Sequence, residues 1–135
     1  MGADDSVLIA GGGPVGLACA YNLARKGIPV TVFDDNPELQ DDPRAATLHP
    51  ATLELLDELG IIDQVIQQGL ISKEFQFWDR PSNSLVAEFD HSLLSEDTKF
   101  PYVVQCEQFK ITRILLDRLS SLSHCKVHFS HEVQS

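Results

Sequence analysis

An α/β fold laid around parallel strands is what this sequence predicts, and three observations predict it. The first is Val7-Leu8-Ile9-Ala10, a short apolar run that breaks into Gly11-Gly12-Gly13-Pro14-Val15-Gly16-Leu17 and continues as a small-residue helix. The second is Ile28-Pro29-Val30-Thr31-Val32-Phe33, a buried-strand pattern that follows this helix and leads straight into Asp34. The third is Lys126-Val127-His128-Phe129, another strand pattern near the end of the chain. Short, continuously apolar strands alternating with helical stretches are the pattern of a parallel sheet joined by crossovers.

The opening strand, Ser6 to Ala10, is apolar as expected of a strand covered on both faces. The turn after it has the spacing G-x-G-x-x-G, with glycines at positions 11, 13 and 16. Gly11 lets the chain turn tightly, Gly13 lets an anion approach bare backbone, and Gly16 lets the helix lie close to the strand. Free N–H groups and the positive dipole end at the start of the helix favour that anion. An acid roughly 20 residues beyond the glycines, at the end of the second strand, is placed to accept hydrogen bonds from ribose hydroxyls. In this order the elements point to a βαβ nucleotide site. The plain alternative is a tight structural turn with Asp34 ending a strand.

The helix is expected from Pro14 to Lys26, mostly buried, with Arg25 and Lys26 in its last turn and Gly27 as its cap. Asp35 to Pro43 is polar and twice broken by proline, hence a surface loop. Pro50 to Leu59 is helical, with Leu53, Leu56 and Leu59 on one face, Pro50 in the first turn and Gly60 as cap. Ile61 to Gln68 forms a second short helix ending at Gly69. Phe75 to Asp79 and Leu85 to Asp90 alternate as a hairpin around Pro81-Ser82-Asn83-Ser84. Trp78 and the phenylalanines near it are expected in the core. His91 to Phe100 is loop and Tyr102 to Gln105 extended. Ile111, Ile114, Leu115, Leu119 and Leu122 form an apolar stripe on a helix from Glu107 to Leu122.

Right-handed crossovers put the three parallel strands in the order 3-2-1, with a helical and β-hairpin region inserted between the second and third. That order leaves the first strand with an unpaired edge, an aggregation liability. The chain also stops at Gln134-Ser135 without a closing element. Both points predict an incomplete piece of a longer protein.

Composition narrows the function classes. With 135 residues, 43% of them hydrophobic, the chain suits one domain with a real core. A net charge of -10 argues against binding nucleic acid, which needs basic patches, and against anionic membranes. Met1-Gly2-Ala3-Asp4-Asp5 lacks the basic start of a secretory signal. The apolar stretch Val7 to Ala24 is interrupted by glycines, Pro14 and Asn22, which fits a buried strand-turn-helix better than a membrane span. Cys19, Cys106 and Cys125 have no C-x-x-C spacing, so reduced thiols in a cytoplasmic protein are expected, with Cys19 packed as a small apolar residue. His128 and His131 should point to opposite faces of a strand, and no metal site is expected. His49 reads as part of a helix start. No G-x-S-x-G elbow supports hydrolase chemistry.

Three separated segments carry a family resemblance. They are Gly11 to Leu17 with Val30 to Asp34, Arg44-Ala45 leading to Leu48-His49-Pro50 and the helix to Gly60, and Tyr102 to Leu119 containing Gln108. Together they resemble the N-terminal part of the FAD-dependent aromatic hydroxylases, the para-hydroxybenzoate hydroxylase-like (phenol hydroxylase-like) monooxygenases. The resemblance implies a Rossmann-like FAD-binding fold, with residues 1–135 forming the N-terminal portion of the FAD-binding domain. The rest of that domain and the substrate domain would lie outside the chain. It implies that Gly11, Gly13 and Gly16, with Pro14 and Val15 of the same turn, cradle the FAD pyrophosphate. Asp34 stands where the family usually has glutamate, on the adenosine ribose. Arg44 resembles the arginine that contacts FAD near its phosphate and ribityl region, and Gln108 a glutamine that also contacts the cofactor. Asp35, Glu107 and Thr112 depart from the family's commonest residues.

The implied reaction reduces FAD with NADH or NADPH and uses O2 to hydroxylate a small aromatic substrate. No residue of this chain is assigned as a catalytic acid or base. Two other readings stay open on the residues alone: a nucleotide-binding module without turnover of its own, and an NAD-binding dehydrogenase domain, since Asp34 suits either ribose.

Overall fold

The computed structural model describes residues 5–134; of the amino-terminal stretch read above for its charge, only Asp5 falls among them. The first half of the chain gives β1 (Val7–Ala10), α1 (Pro14–Ala24), β2 (Val30–Phe33), β3 (Thr47–Leu48), α2 (Pro50–Glu58) and α3 (Ile62–Gln68). The second gives β4 (Leu70–Ser72), β5 (Glu74–Asp79), β6 (Ser84–Asp90), β7 (Val103–Gln105), α4 (Gln108–Ser120) and β8 (Cys125–His128). These elements form two compact units. One runs to Ala45 and resumes at Gln108; the other is Ala46–Glu107, which is the inserted region.

In the first unit β1, β2 and β8 form a parallel sheet in that order, so the expected 3-2-1 arrangement is present. Val30 pairs with both Val7 and Cys125, which sets the register across the sheet. Val30 and Val32 of the central strand are buried, and α1 and α4 pack against each other. From α1 come Leu17, Ala20 and Ala24; from α4 come Ile111, Ile114, Leu115 and Leu119. Proline pre-sets the backbone angle at the first position of α1, where a missing N–H costs nothing. The helix ends at Ala24, two residues short of expectation. Arg25 is its cap, and Arg25 and Lys26 therefore lie past the last turn instead of in it.

Three expectations of burial fail here. Leu8 on the edge strand is 69% exposed, Val15 is 82% exposed, and Cys19 is exposed as well. Helix α1 buries one stripe only. An apolar sequence fixes the element, but which of its faces is covered depends on what packs there. The two histidines also depart from the reading of a regular strand. β8 stops at His128, Ser130 takes a left-handed backbone with φ of 57°, and His131 folds back beside His128 with ring centroids 5.3 Å apart. Phe33 stacks on His128. Among the described residues no group of three potential metal ligands forms.

The second unit is built on a three-stranded antiparallel sheet in the order β3, β7, β4. Its core holds Leu53, Leu56, Ile61, Val65, Val103, Val104 and Cys106. Proline at the start of α2 and Gly60 in a left-handed conformation after it mark that helix as expected. Gly69 closes α3 against β7, where a Cβ would stand 2.5 Å from Val104 Cγ1. β5 and β6 form the expected hairpin, with a register shift at Phe77/Trp78. Its aromatic residues are not core. Phe75, Phe77, Trp78 and Phe89 are each at least half exposed, and the phenylalanines meet one another edge to face. Residues 91–94 form one 3-10 turn, capped by the Asp90 carboxylate accepting from the Ser92 N–H.

Candidate dinucleotide site

The site lies within the first unit, where β1 gives way to α1. Gly11 takes a φ of 103°, closed to most side chains, and its N–H donates to the Phe33 carbonyl at 2.7 Å. This bond ties the turn to the end of β2. At Gly16 the reason is contact: a Cβ there would stand 1.9 Å from the Gly11 carbonyl oxygen. Gly12 is buried, and a Cβ on it would press on the Asp34 carboxylate at 3.1 Å from Oδ2. Gly13 differs from all three. A Cβ built on it meets nothing within 4 Å, and its backbone at the start of α1 is extended and unstrained.

Asp34 aims back at this turn. Its Oδ2 accepts the Gly12 N–H at 2.5 Å, and its Oδ1 accepts the backbone N–H and the side-chain amide of Asn36, each at 2.9 Å. Partial burial pushes the Asp34 carboxyl up, but the bonds from Gly12 and Asn36 outweigh it and hold the group below the ordinary aspartate range. Asp34 is thus an anion at neutral pH. Its backbone is pinned to the strand beside it, with its N–H on the His128 carbonyl and its carbonyl on the His131 N–H, both at 2.9 Å.

A cavity opens at this point, lined by Gly12, Gly13, Pro14, Asp34, Arg44 and Gln108 among others. Arg44 is exposed and stands 3.7 Å from Asp42. Gln108 is the first residue of α4. Of the residues expected at the site, Gly11, Val15 and Gly16 do not line the cavity: two glycines shape the turn from behind, and the Val15 side chain faces out. Reading the sequence missed Gly12, Asn36 and the loop residues Glu38 to Gln40, which form the rim. The loop is fastened from α4. Arg113 holds both oxygens of Asp41 at 2.6 Å and lies 5.3 Å from the centre of the Phe109 ring. Polarity marked this loop as surface, and nothing in its residue types marks it as a wall.

The donor set suits a dinucleotide diphosphate. The bare Cα of Gly13 leaves room that any side chain would fill, the start of a helix offers N–H groups to an anion, and the ionised Asp34 beside them is an acceptor suited to a sugar hydroxyl and not to the phosphates. A strand, glycine turn, helix and strand with an acid returned to the turn define a dinucleotide-binding domain. More narrowly, the chain belongs to the FAD binding domain family, which it matches over residues 4–135.

Relatives agree with that assignment. The chain is 31% identical over 130 residues to para-nitrophenol 4-monooxygenase of Pseudomonas sp. strain WBC-3, covering 96% of this chain and 32% of that protein. It is 36% identical over 133 residues to 6-hydroxy-3-succinoylpyridine 3-monooxygenase of Pseudomonas putida, covering 98% and 34%. Among solved structures, p-nitrophenol 4-monooxygenase PnpA of Pseudomonas putida DLL-E4 superposes with a TM-score of 0.91 at 26% identity, covering 97% of this chain and 34% of that one. Aklavinone-11 hydroxylase, solved with FAD and aklavinone, gives 0.82 at 25% identity, covering 98% and 26%. The chain therefore spans about a third of the length of the two curated relatives named here. Among the described residues, no helix is long and apolar enough to cross a membrane.

Proposed function

We propose that this chain is the FAD-holding portion of a flavin-dependent monooxygenase that hydroxylates a small aromatic substrate with NAD(P)H and O2. One observation carries the reading: the open space at Gly13 lies in the same cavity as the ionised Asp34, within a chain of the FAD-binding family. In this reading the N–H groups of Gly13 and of the helical turn after Pro14 face the pyrophosphate, Asp34 accepts from the adenosine ribose, and Arg44 and Gln108 reach the remainder of the cofactor. Gly11, Val15 and Gly16 act by shaping the turn. Bound FAD supplies the redox chemistry; the residues here bind and orient it. No side chain of the chain takes a proton-transfer role, and residues 1–135 form the N-terminal portion of the FAD domain. Three free thiols support a cytoplasmic setting.

Titrating the purified chain with FAD and with NAD by calorimetry tests this. FAD is expected to bind and NAD to bind far more weakly; the reverse order would point to a dehydrogenase domain and overturn the proposal. Asp34→Ala is expected to weaken FAD binding by about 1–3 kcal/mol, the scale of hydrogen bonds to a charged group.

The acid also sets a pH dependence. A carboxyl whose folded pKa is depressed contributes stability above its unfolded value and loses that contribution as pH falls through the folded one. In this reading FAD binding uses the ionised form of Asp34, so affinity should be kept as pH falls through the ordinary aspartate value and be lost at more acid pH, where Asp34 takes a proton. Fluorescence titrations at stepped pH check it, with Asp34→Asn as the comparison that should lack the acid limb.

A further inference from the structure

Asp34 is nearly full before any ligand arrives. An ionised carboxylate offers about four lone-pair positions, and hydrogen bonds from the described residues take three of them: Gly12 N–H on Oδ2, and the Asn36 N–H and amide on Oδ1. One position is left, on Oδ2. A ribose presents two neighbouring hydroxyls, so this acid can accept from only one of them. A second acceptor has to come from somewhere else in the cavity.

Asn36 is placed to supply it. Its Nδ2 donates to Asp34 Oδ1 at 2.9 Å and to Asp35 Oδ1 at 3.2 Å. Both neighbours are carboxylates, which only accept, so the nitrogen end of the amide must face them and the oxygen end is the acceptor that remains. The residue is rigidly held, because its own carbonyl accepts the Ser130 N–H at 2.8 Å. It also lines the same cavity as Gly12, Gly13 and Asp34.

We infer that Asn36 is a second ribose-binding residue, its Oδ1 accepting the hydroxyl that Asp34 cannot. The inference rests on the flavin reading above. A shared grip also explains why an aspartate serves here, with Asn36 supplying both the clamp on the acid and the missing acceptor. The step is binding only, with no bond made or broken.

The test uses the purified chain with FAD, ADP, 2′-deoxy-ADP and 3′-deoxy-ADP, with affinities read by calorimetry. Asn36→Ala should weaken FAD and ADP roughly five- to tenfold, the worth of one ordinary hydrogen bond. For one of the two deoxy nucleotides, the one lacking the hydroxyl that Asn36 holds, the loss should be clearly smaller than for ADP, leaving only what the clamp on Asp34 contributes. An equal loss against all four ligands would show that Asn36 acts only by placing Asp34, and would overturn the inference. So would no loss at all. Should Asn36→Ala melt far below wild type, Asn36→Ser, whose hydroxyl can still donate to the Asp34 carboxylate, is held to the same pattern. Gly13→Val separates the two levels. If FAD does not bind wild type, or binds this variant equally, the flavin reading and this inference fall together; if only the Asn36 pattern is missing, this inference falls alone.

Discussion

Gly16→Ala is expected to cost the chain several kcal/mol of stability. One methyl group would enter 1.9 Å from the Gly11 carbonyl oxygen and 3.1 Å from the Gly11 carbon, both backbone atoms that no rotamer change can move. Relief requires α1 to lift from the turn. That would loosen the burial of Leu17, Ala20 and Ala24 and disturb the Gly11 bond to Phe33. Overpacking a core typically costs 1–3 kcal/mol, and a backbone clash of this depth belongs at or above the top of that range, about 3–5 kcal/mol. Urea unfolding followed by far-ultraviolet circular dichroism measures it. A midpoint unchanged from wild type would mean that helix and strand are not in contact at Gly16.

Gly13→Val should do the opposite: keep the fold and lose the ligand. The backbone at Gly13 is extended, which valine adopts readily, and nothing lies within 4 Å of where its Cβ would stand. The cost to folding is that of a poor helix cap, up to about 1 kcal/mol. The cost to binding is much larger, because the valine fills the space through which a diphosphate reaches the N–H groups. FAD affinity is expected to drop at least about a hundredfold, or ~2.8 kcal/mol. Fluorescence titration with FAD beside thermal unfolding separates the two effects. A variant that still binds FAD like wild type would place the diphosphate elsewhere.

The contrast between these two glycines shows how far a sequence can be read. Spacing alone picks out Gly11, Gly13 and Gly16; the structure gives Gly11 a left-handed backbone and Gly16 a backbone contact, while the reason at Gly13 is the proposed diphosphate. The helices were legible because Pro14, Pro50, Gly27 and Gly60 mark their ends with backbone preferences that act locally. The sheet order followed because crossover handedness leaves few choices. Strands β3 and β4, only two and three residues long, carry no pattern of their own and exist through pairing with β7. The aromatic hairpin was legible as a hairpin, but alternation says which residues share a face and not whether that face is covered. Asn36 was hidden for a similar reason. Its work is done through contacts with Asp34 and Ser130, and a single asparagine in a polar loop carries no trace of them.

The Asp34 side and the Arg44 side of the cavity are prepared to different degrees. Gly12, Asp34, Asn36, Ser130 and His131 are joined by hydrogen bonds of the chain itself, so that wall is set by folding. Arg44 is exposed, and its contact with Asp42 is a loose one. In the proposed complex a nucleotide meets one surface already fixed by hydrogen bonds and one exposed cation, Arg44, whose ordering costs about 0.5–1.5 kcal/mol for such a side chain. The sugar of the proposed complex therefore lies against a surface fixed by folding, and the ordering of Arg44 is a cost that falls on binding.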